Sequence, residues 1–311
     1  MTIGLDTTSQ FQWMVNGIYT SIFCGPAAVI VFFLISGFCI HFPYRDSWSN
    51  NTALPFLIAR LTRISIPILL ASIFIRIIGF NTSVFYLFVG WSIVCEIAYY
   101  VTYPLLRSSI KTKKGWVLFL FLSFIPTFLA FGLYPLNLVN YPGVGFFYVI
   151  VLGLPCWVLG VLLCHSVDRE ATPQLISVQN LFLQRALIIF LAFLTHVMAL
   201  QEILGHPFTL NFFALAVFFW LRKEIAYYWH NLPNKILERL GRASYSIYLM
   251  HGIPPFLIGL LDTDFNRFSR FFLYWFLLIS LTALFYVLVE KPSHKLSRNL
   301  FKQLLPKTTP C

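Results

Sequence analysis

The chain alternates between long, almost uncharged apolar stretches and short polar connections, and this alternation restricts it to a membrane environment. The hydrocarbon core of a bilayer is about 30 Å thick, and a helix needs about 20 apolar residues to cross it. At 59% hydrophobic and 11% charged residues, the chain has too few polar side chains to cover a water-exposed surface. About nine stretches are predicted to span the membrane: residues 22–42, 61–79, 84–106, 115–134, 144–164, 182–201, 207–222, 243–261 and 268–289.

These spans are predicted to be helices, because every backbone N–H and C=O inside a bilayer must be paired within the protein. The stretches are continuously apolar and lack the alternation typical of a lipid-facing barrel strand. The predicted fold class is therefore all-α, a polytopic transmembrane helical bundle. We expect an extracytoplasmic lead over residues 1–21, a single integral membrane domain over residues 22–300 and a cytoplasmic tail over residues 301–311.

The distribution of basic residues predicts the orientation of the bundle. If the N-terminus is outside and the C-terminus is cytoplasmic, all of the 22 Lys and Arg except Arg76, Arg267 and Arg270 fall on the cytoplasmic side. The formal net charge of +11 then forms a rim that attracts anionic lipid. We expect a multi-pass protein of the inner or plasma membrane with membrane lipid, and not nucleic acid, as a partner.

The cysteines and histidines do not follow a recognisable metal-binding pattern. The six cysteines include no C-x-x-C pair, and most lie within predicted spans, so we expect them to be small buried hydrophobic residues. The histidines show no H-E-x-x-H or comparable spacing. The sequence therefore predicts no metal site.

Ionisable side chains at membrane depth are costly, and this makes Glu96 and His251 functional candidates. Glu96 in GWSIVCEIAYY lies ~18 Å from the outer end of its span, and His251 in SYSIYLMHGIP lies ~12 Å from the cytoplasmic end of its own. The two depths agree, so both are predicted to be catalytic groups that meet inside the bundle. A buried packing pair is the alternative, as is a hydrogen bond from His251 to a carbonyl freed by Pro254 or Pro255.

Arg60 and Arg63 in FLIARLTRISIP stand at positions i and i+3 and therefore share one helix face. Two guanidinium groups on one face suit a phosphate better than two ammonium groups do. The alternative is an ordinary positive flank that contacts lipid phosphates.

In FFLISGFCIHF, Ser36 and Gly37 form a small polar notch, and His41 is expected to extend to the cytoplasmic interface.

Five segments in this order resemble the acyltransferase 3 family of integral membrane O-acyltransferases: FFLISGF, RLTRISIP, WSIVCEIAYYVTYPLL, LGRASYSIYLMHGIP and VEKPSHKL. The resemblance covers residues 22 to 300. Members of this family move an acyl group, commonly acetyl, from cytoplasmic acyl-CoA to a hydroxyl of a glycan or another acceptor. They usually have ten helices, with both termini inside.

The resemblance implies a role for individual residues. Arg60, Arg63 and Ser36 would bind acyl-CoA, the co-substrate. Gly37, Trp91 and Tyr245 would line the substrate path, although the notch at Gly37 could equally admit a neighbouring helix. The chemistry adds two roles: attack by a hydroxyl needs a general base, for which His251 is the candidate and His41 the alternative, and Glu96 would be the carboxylate that orients the imidazole. Ser246, Glu290 and Pro292 fall within family motifs whose role is expected to be structural.

The sequence departs from the family pattern in one respect. The family's first helix carries an Arg and a catalytic His, and no residue here matches them. We therefore expect either a reading frame that continues upstream or a shortened, inactive relative. Two other functional hypotheses stay open: a transporter or flippase of an envelope precursor, which would use the same intramembrane Glu and His, and a non-catalytic partner in envelope assembly.

Overall fold

The computed structural model describes residues 24–138, 141–167, 177–261 and 265–305. Within these ranges the chain forms helices and turns and no strand, which confirms the all-α prediction. The predicted lead 1–21 lies outside the described residues. The α-helices of seven residues or more are α1 Gly25–His41, α2 Ala53–Ile77, α3 Trp91–Ser109, α4 Lys113–Leu133, α5 Phe146–Ser166, α6 Val178–Leu200, α7 His206–Tyr228, α8 Lys235–Arg242, α9 Ser244–Met250, α10 Ile253–Leu260, α11 Arg267–Phe285 and α12 Lys291–Leu304. Two π-helical turns, Tyr86–Gly90 and Tyr286–Glu290, lead directly into α3 and α12.

Six helical segments of the described chain are long and apolar enough to cross a membrane: Gly25–Tyr44, Asn50–Ile77, Lys113–Leu133, Phe146–Ser166, Val178–Leu200 and Phe268–Leu304. Each overlaps one of the predicted spans. Large apolar side chains point outward from these segments, including Phe147 at 82% exposure and Phe182 at 69%. An apolar exterior of this extent is stable against lipid rather than water. The chain is therefore a membrane protein, while the total of nine spans and the orientation stay predictions.

Residues 243–261 were predicted to form one continuous helix, and this prediction was wrong. α9 ends and α10 begins on either side of a turn at His251 and Gly252. Pro254 and Pro255 have no N–H, so the carbonyls four residues before them lose their helical donors. Both prolines instead occupy the first turn of α10, where a missing N–H costs nothing.

The helices group into two compact units. The first comprises residues 1–47 and 110–232 and contains α1 and α4 to α7. The second comprises residues 48–109 and 233–311 and contains α2, α3 and α8 to α12. The residues predicted to bind or transform substrate are divided between them, with Ser36 and Gly37 in the first unit and the others in the second.

In the first unit, α1 and α5 approach so closely at two glycines that no side chain would fit between them. A Cβ atom on Gly37 would lie 2.1 Å from the carbonyl oxygen of Trp157, and one on Gly160 would lie 2.0 Å from that of Leu34. Small residues allow membrane helices to form such close backbone contacts. Of the two occupants considered for the notch at Gly37, the neighbouring helix is the one found there.

Asn211 of α7 connects the helices of the same unit through a buried polar network. Its side-chain nitrogen donates to the Thr127 hydroxyl at 2.6 Å and to the Leu152 carbonyl at 3.0 Å. Its side-chain oxygen accepts from the Tyr141 hydroxyl at 2.9 Å and from the Cys156 thiol at 3.2 Å. All four hydrogen-bonding positions of the amide are used, so a fully buried amide is accommodated and the helix register is fixed.

In the second unit, α12 packs along the first half of α2. The Ser297 hydroxyl donates to the Ala59 carbonyl at 2.6 Å, which ties the two helices together at a buried position. On another side of α2, Phe56 packs against Trp48 and Tyr103 with ring centroids 6.1 Å and 5.3 Å away. α2 is thereby held between α3 and α12 at the level of its two predicted functional arginines.

Candidate functional site

Arg60 lies against aromatic rings rather than extending freely from α2. Its guanidinium carbon is 5.7 Å from the ring centroid of Phe56 and 6.0 Å from that of Tyr100. A cation over an aromatic face is attracted by the negative charge of that face, and the planar guanidinium group stacks well there. Arg60 is half-buried, whereas Arg63, one helical turn further along, is exposed. The pair shares a face as predicted.

Glu96 lies within the same unit and is 5% exposed. The hydroxyl of Tyr100, one turn along α3, donates a hydrogen bond to its Oε1. Tyr100 therefore connects Glu96 and Arg60: its hydroxyl binds the carboxylate, and its ring lies under the cation. The carboxylate orients this tyrosine and, through it, the position of the arginine.

Two further basic side chains, His294 and Arg298 on α12, join the predicted arginine pair. His294 lies within electrostatic range of Arg60, Arg63 and Arg298. These four basic groups therefore lie on two helices that pack together, and Glu290 also interacts electrostatically with Arg63. From the sequence, the α12 cations are predicted only to form part of the cytoplasmic rim. Their spacing of four residues was the one available signal that they share a helix face.

The structure joins two motifs that are far apart in the sequence. Oε2 of Glu290 accepts from the backbone N–H of Ser246 at 3.0 Å and from its hydroxyl. Negative charge at the first turn of a helix is favourable because unpaired N–H groups point outward there. Glu290 thus anchors the start of α9. The adjacent Tyr245 donates its hydroxyl to the Ile64 carbonyl at 3.1 Å, which ties α9 to α2.

His251 occupies the turn where α9 gives way to α10. Its Nδ1 is 2.7 Å from the Tyr248 carbonyl oxygen, which can only accept a hydrogen bond. Nδ1 must therefore carry the proton, and in a neutral ring Nε2 then keeps its lone pair. Tyr248 stacks on the imidazole with centroids 5.7 Å apart, and its hydroxyl is 2.6 Å from that of Ser92. The carbonyl that His251 bonds is that of Tyr248, and not one of those that Pro254 or Pro255 would leave without a helical donor.

Trp91, which follows the π-helical turn, begins α3 and is half-buried. It lies one residue before Ser92 and hence close in sequence to the hydroxyl that meets Tyr248. π-helical turns are frequent at functional sites, because they change the direction of side chains relative to the regular helix. The position of Trp91 is compatible with its predicted place on a substrate path, which stays a prediction.

In the first unit, Ser36 is buried on α1 next to the Gly37 contact. His41 is fully buried, so the expectation that it extends to the interface was wrong. Its Nε2 is 3.0 Å from Nε2 of His165, and its ring meets the edge of Trp116. These side chains from α4 and α5 cover the end of α1 and exclude His41 from the surface.

A family profile described as an acyltransferase domain, that of the acyltransferase 3 family, matches residues 2–290. The chain belongs to this family. No curated protein and no solved structure was found to match the chain.

Membership in the acyltransferase 3 family indicates that this protein is a membrane acyltransferase, in agreement with its apolar helices. The matched range includes the two predicted functional arginines, Glu96, His251 and the Glu290 anchor. His294 and Arg298 lie just beyond the end of the match, yet they take part in the same basic cluster.

Proposed function

We propose that this protein is an O-acyltransferase of the cell membrane that moves an acyl group, acetyl in the simplest case, from cytoplasmic acyl-CoA to a hydroxyl of a glycan or another cell-envelope acceptor. The observation that carries the proposal is the basic cluster formed by Arg60, Arg63, His294 and Arg298, all within one compact unit of a chain that belongs to an acyltransferase family. The predicted orientation exposes this cluster to the cytoplasm, where acyl-CoA is found.

The cluster suits the donor because the CoA moiety carries a 3′-phosphate and a pyrophosphate. Guanidinium groups bind phosphate oxygens through paired, charge-assisted hydrogen bonds. Arg63 and Arg298 are exposed and can reach a ligand, whereas the stacked Arg60 has lost conformational freedom before a ligand arrives. Such preorganisation favours binding. In this proposal Glu96 is a positioning residue that fixes Tyr100 beneath Arg60.

The proposed reaction is direct acyl transfer. The acceptor oxygen attacks the thioester carbonyl carbon, the C–S bond breaks, and CoA leaves as a thiolate that takes up a proton. The base receives the proton of the acceptor hydroxyl, which is a poor nucleophile without such help. We assign the role of base to His251, because its Nδ1–H is held by the Tyr248 carbonyl and its Nε2 can accept a proton.

The resemblance assigns Ser36 to acyl-CoA binding and Gly37, Trp91 and Tyr245 to the substrate path.

The experiment separates donor binding from acyl transfer. Purified full chain in nanodiscs is titrated with radiolabelled acetyl-CoA, and envelope glycans from cells that express each variant are analysed by mass spectrometry for added acetyl groups. Arg60→Ala and Arg63→Ala should each weaken binding about 10- to 100-fold, since a charge-assisted hydrogen bond contributes about 1.5–3 kcal/mol. His251→Gln should bind acetyl-CoA normally and yield no acetylated glycan.

Arg76→Ala is the matched control, because Arg76 is exposed on the same helix about 24 Å from Arg60. It should leave binding unchanged. Acetyl-pantetheine, which carries the thioester without phosphates, should bind equally weakly to all variants. Full glycan acetylation by the double variant Arg60→Ala/Arg63→Ala would refute the donor assignment. Movement of an envelope precursor with no acylated product would instead favour the transporter hypothesis.

A further inference from the structure

Cys24 meets His196 and His206, which lie more than 170 positions later in the sequence, at one end of the first unit and away from the His41–His165 pair. Cys24 immediately precedes α1, His196 lies in the last two turns of α6, and His206 is the first residue of α7. Sγ of Cys24 is 3.8 Å from Nε2 of His206, and Nδ1 of His196 is 3.4 Å from the same Nε2. All three donor atoms lie within 4.8 Å of one another.

Two of the three separations are close to the edges of a metal-centred tetrahedron, and the third, between the donor atoms of Cys24 and His196, is at most 4.8 Å. Zn–N bonds of about 2.05 Å and a Zn–S bond of about 2.3 Å place two nitrogens about 3.3 Å apart and a nitrogen and a sulfur about 3.6 Å apart. The observed separations of 3.4 Å and 3.8 Å are within a few tenths of an ångström of these values.

The backbone around the cluster fixes the position of its central ligand. The N–H of Gly205 donates to the Leu136 carbonyl at 2.7 Å, and a Cβ on Gly205 would lie 1.7 Å from the Leu138 carbonyl oxygen. His206 follows directly and begins α7, and both it and Cys24 are buried. A ligand held by packing loses little freedom on binding, as metal sites require.

We propose that Cys24, His196 and His206 bind a zinc-like divalent transition metal ion. Imidazole and thiolate are the ligands that such ions prefer over hard cations such as Mg²⁺ or Ca²⁺. Three protein ligands leave a fourth position for water or another group, a pattern typical of reactive rather than closed structural zinc sites. In the predicted orientation the site lies at the extracytoplasmic end of the helices. It does not depend on the basic cluster proposed to bind acyl-CoA, which is in the other unit.

The test measures metal directly and needs no acyltransferase assay. Full chain purified without chelators in nanodiscs is analysed by mass spectrometry of its metal content, and metal-depleted protein is titrated with Co²⁺. We expect close to one zinc per chain and a Co²⁺ spectrum with a thiolate charge-transfer band. Cys24→Ser should abolish that band, and His196→Ala and His206→Ala should reduce bound zinc to background. Zinc should also raise the melting temperature of the depleted wild-type protein by a few degrees.

Cys39→Ser and His230→Ala are the matched controls, because each removes the same type of ligand from an exposed position. Both should retain zinc and the cobalt band. Because the loss of a buried side chain can prevent folding, the wild-type protein itself decides the proposal. Wild-type protein that binds neither zinc nor Co²⁺ at micromolar concentration would overturn it and leave a hydrogen-bonded Cys–His–His cluster. Equal metal content in all variants would place the ion elsewhere and would overturn it as well.

Discussion

Because α1 and α5 approach so closely, the position of a Gly→Ala substitution decides whether it lowers or raises the stability of the protein. Alanine at Gly37 would place a methyl carbon 2.1 Å from the backbone oxygen of Trp157. An unstrained contact needs about 3.5 Å, so the two helices must separate locally by roughly 1 Å. The atom in the way belongs to the backbone, and it cannot move aside as a flexible side chain can.

The magnitude follows from two opposing effects. Overpacking of a tight contact costs about 1–3 kcal/mol. Replacing glycine by alanine inside a helix stabilises the helix by about 0.5–1 kcal/mol. Gly37→Ala should therefore destabilise the protein by about 0.5–2 kcal/mol. Gly132→Ala, at a helical glycine of the same unit with nothing near its added Cβ, should be neutral or stabilise the protein by up to about 0.5–1 kcal/mol.

Thermal unfolding in nanodiscs, followed with a thiol-reactive fluorophore, would measure both variants, since Cys95, Cys156 and Cys164 are buried in the folded chain. We expect Gly37→Ala to melt a few degrees below Gly132→Ala. Gly160→Ala should resemble Gly37→Ala, and the double variant should lose less than the sum, because one separation relieves both clashes. A Gly37→Ala protein that melts at or above the wild-type temperature would refute the packing account.

Two further predictions concern polar contacts within single units. Glu290→Gln should lower the free energy of unfolding by about 1–2 kcal/mol in the same assay, because the two hydrogen bonds from Ser246 lose their charge assistance. An unchanged melting temperature would contradict the anchoring of α9 by Glu290. Glu224→Leu should cost about 2 kcal/mol, since it removes the carboxylate that binds Arg185 at 2.6 Å and 2.8 Å. Adding Arg185→Leu should restore at least half of that loss. A double variant no more stable than Glu224→Leu would show that an arginine without its carboxylate is not the cause of the loss.

The helices could be predicted from the sequence because the bilayer leaves few choices. A long apolar stretch must pair its backbone internally, so the positions of most helices followed from hydrophobicity alone. The shared face of Arg60 and Arg63 followed from helical periodicity in the same way. The break at His251 depended on how two prolines would be accommodated, either as a kink or as the start of a new helix. Hydrophobicity does not distinguish these outcomes.

Contacts between distant helices could not be predicted from a single sequence. His294 and Arg298 join the arginine pair because α12 packs along α2, a pairing set by the match of two helix surfaces. The same holds for Cys24 and His206, whose spacing resembles no local metal motif. His41 was expected near the interface from its place in the chain, and its burial depends on residues more than 70 positions away. Local spacing identifies candidates, and tertiary packing decides their partners.

The packing of α12 on α2 has a practical consequence for how the protein should be divided in engineering. The family match ends at residue 290, so a fragment or chimera built to that boundary would keep Arg60 and Arg63 and discard His294 and Arg298. It would also lose the Ser297 hydroxyl that fastens the two helices. A chimera of two relatives should therefore take α2 and α12 from the same parent.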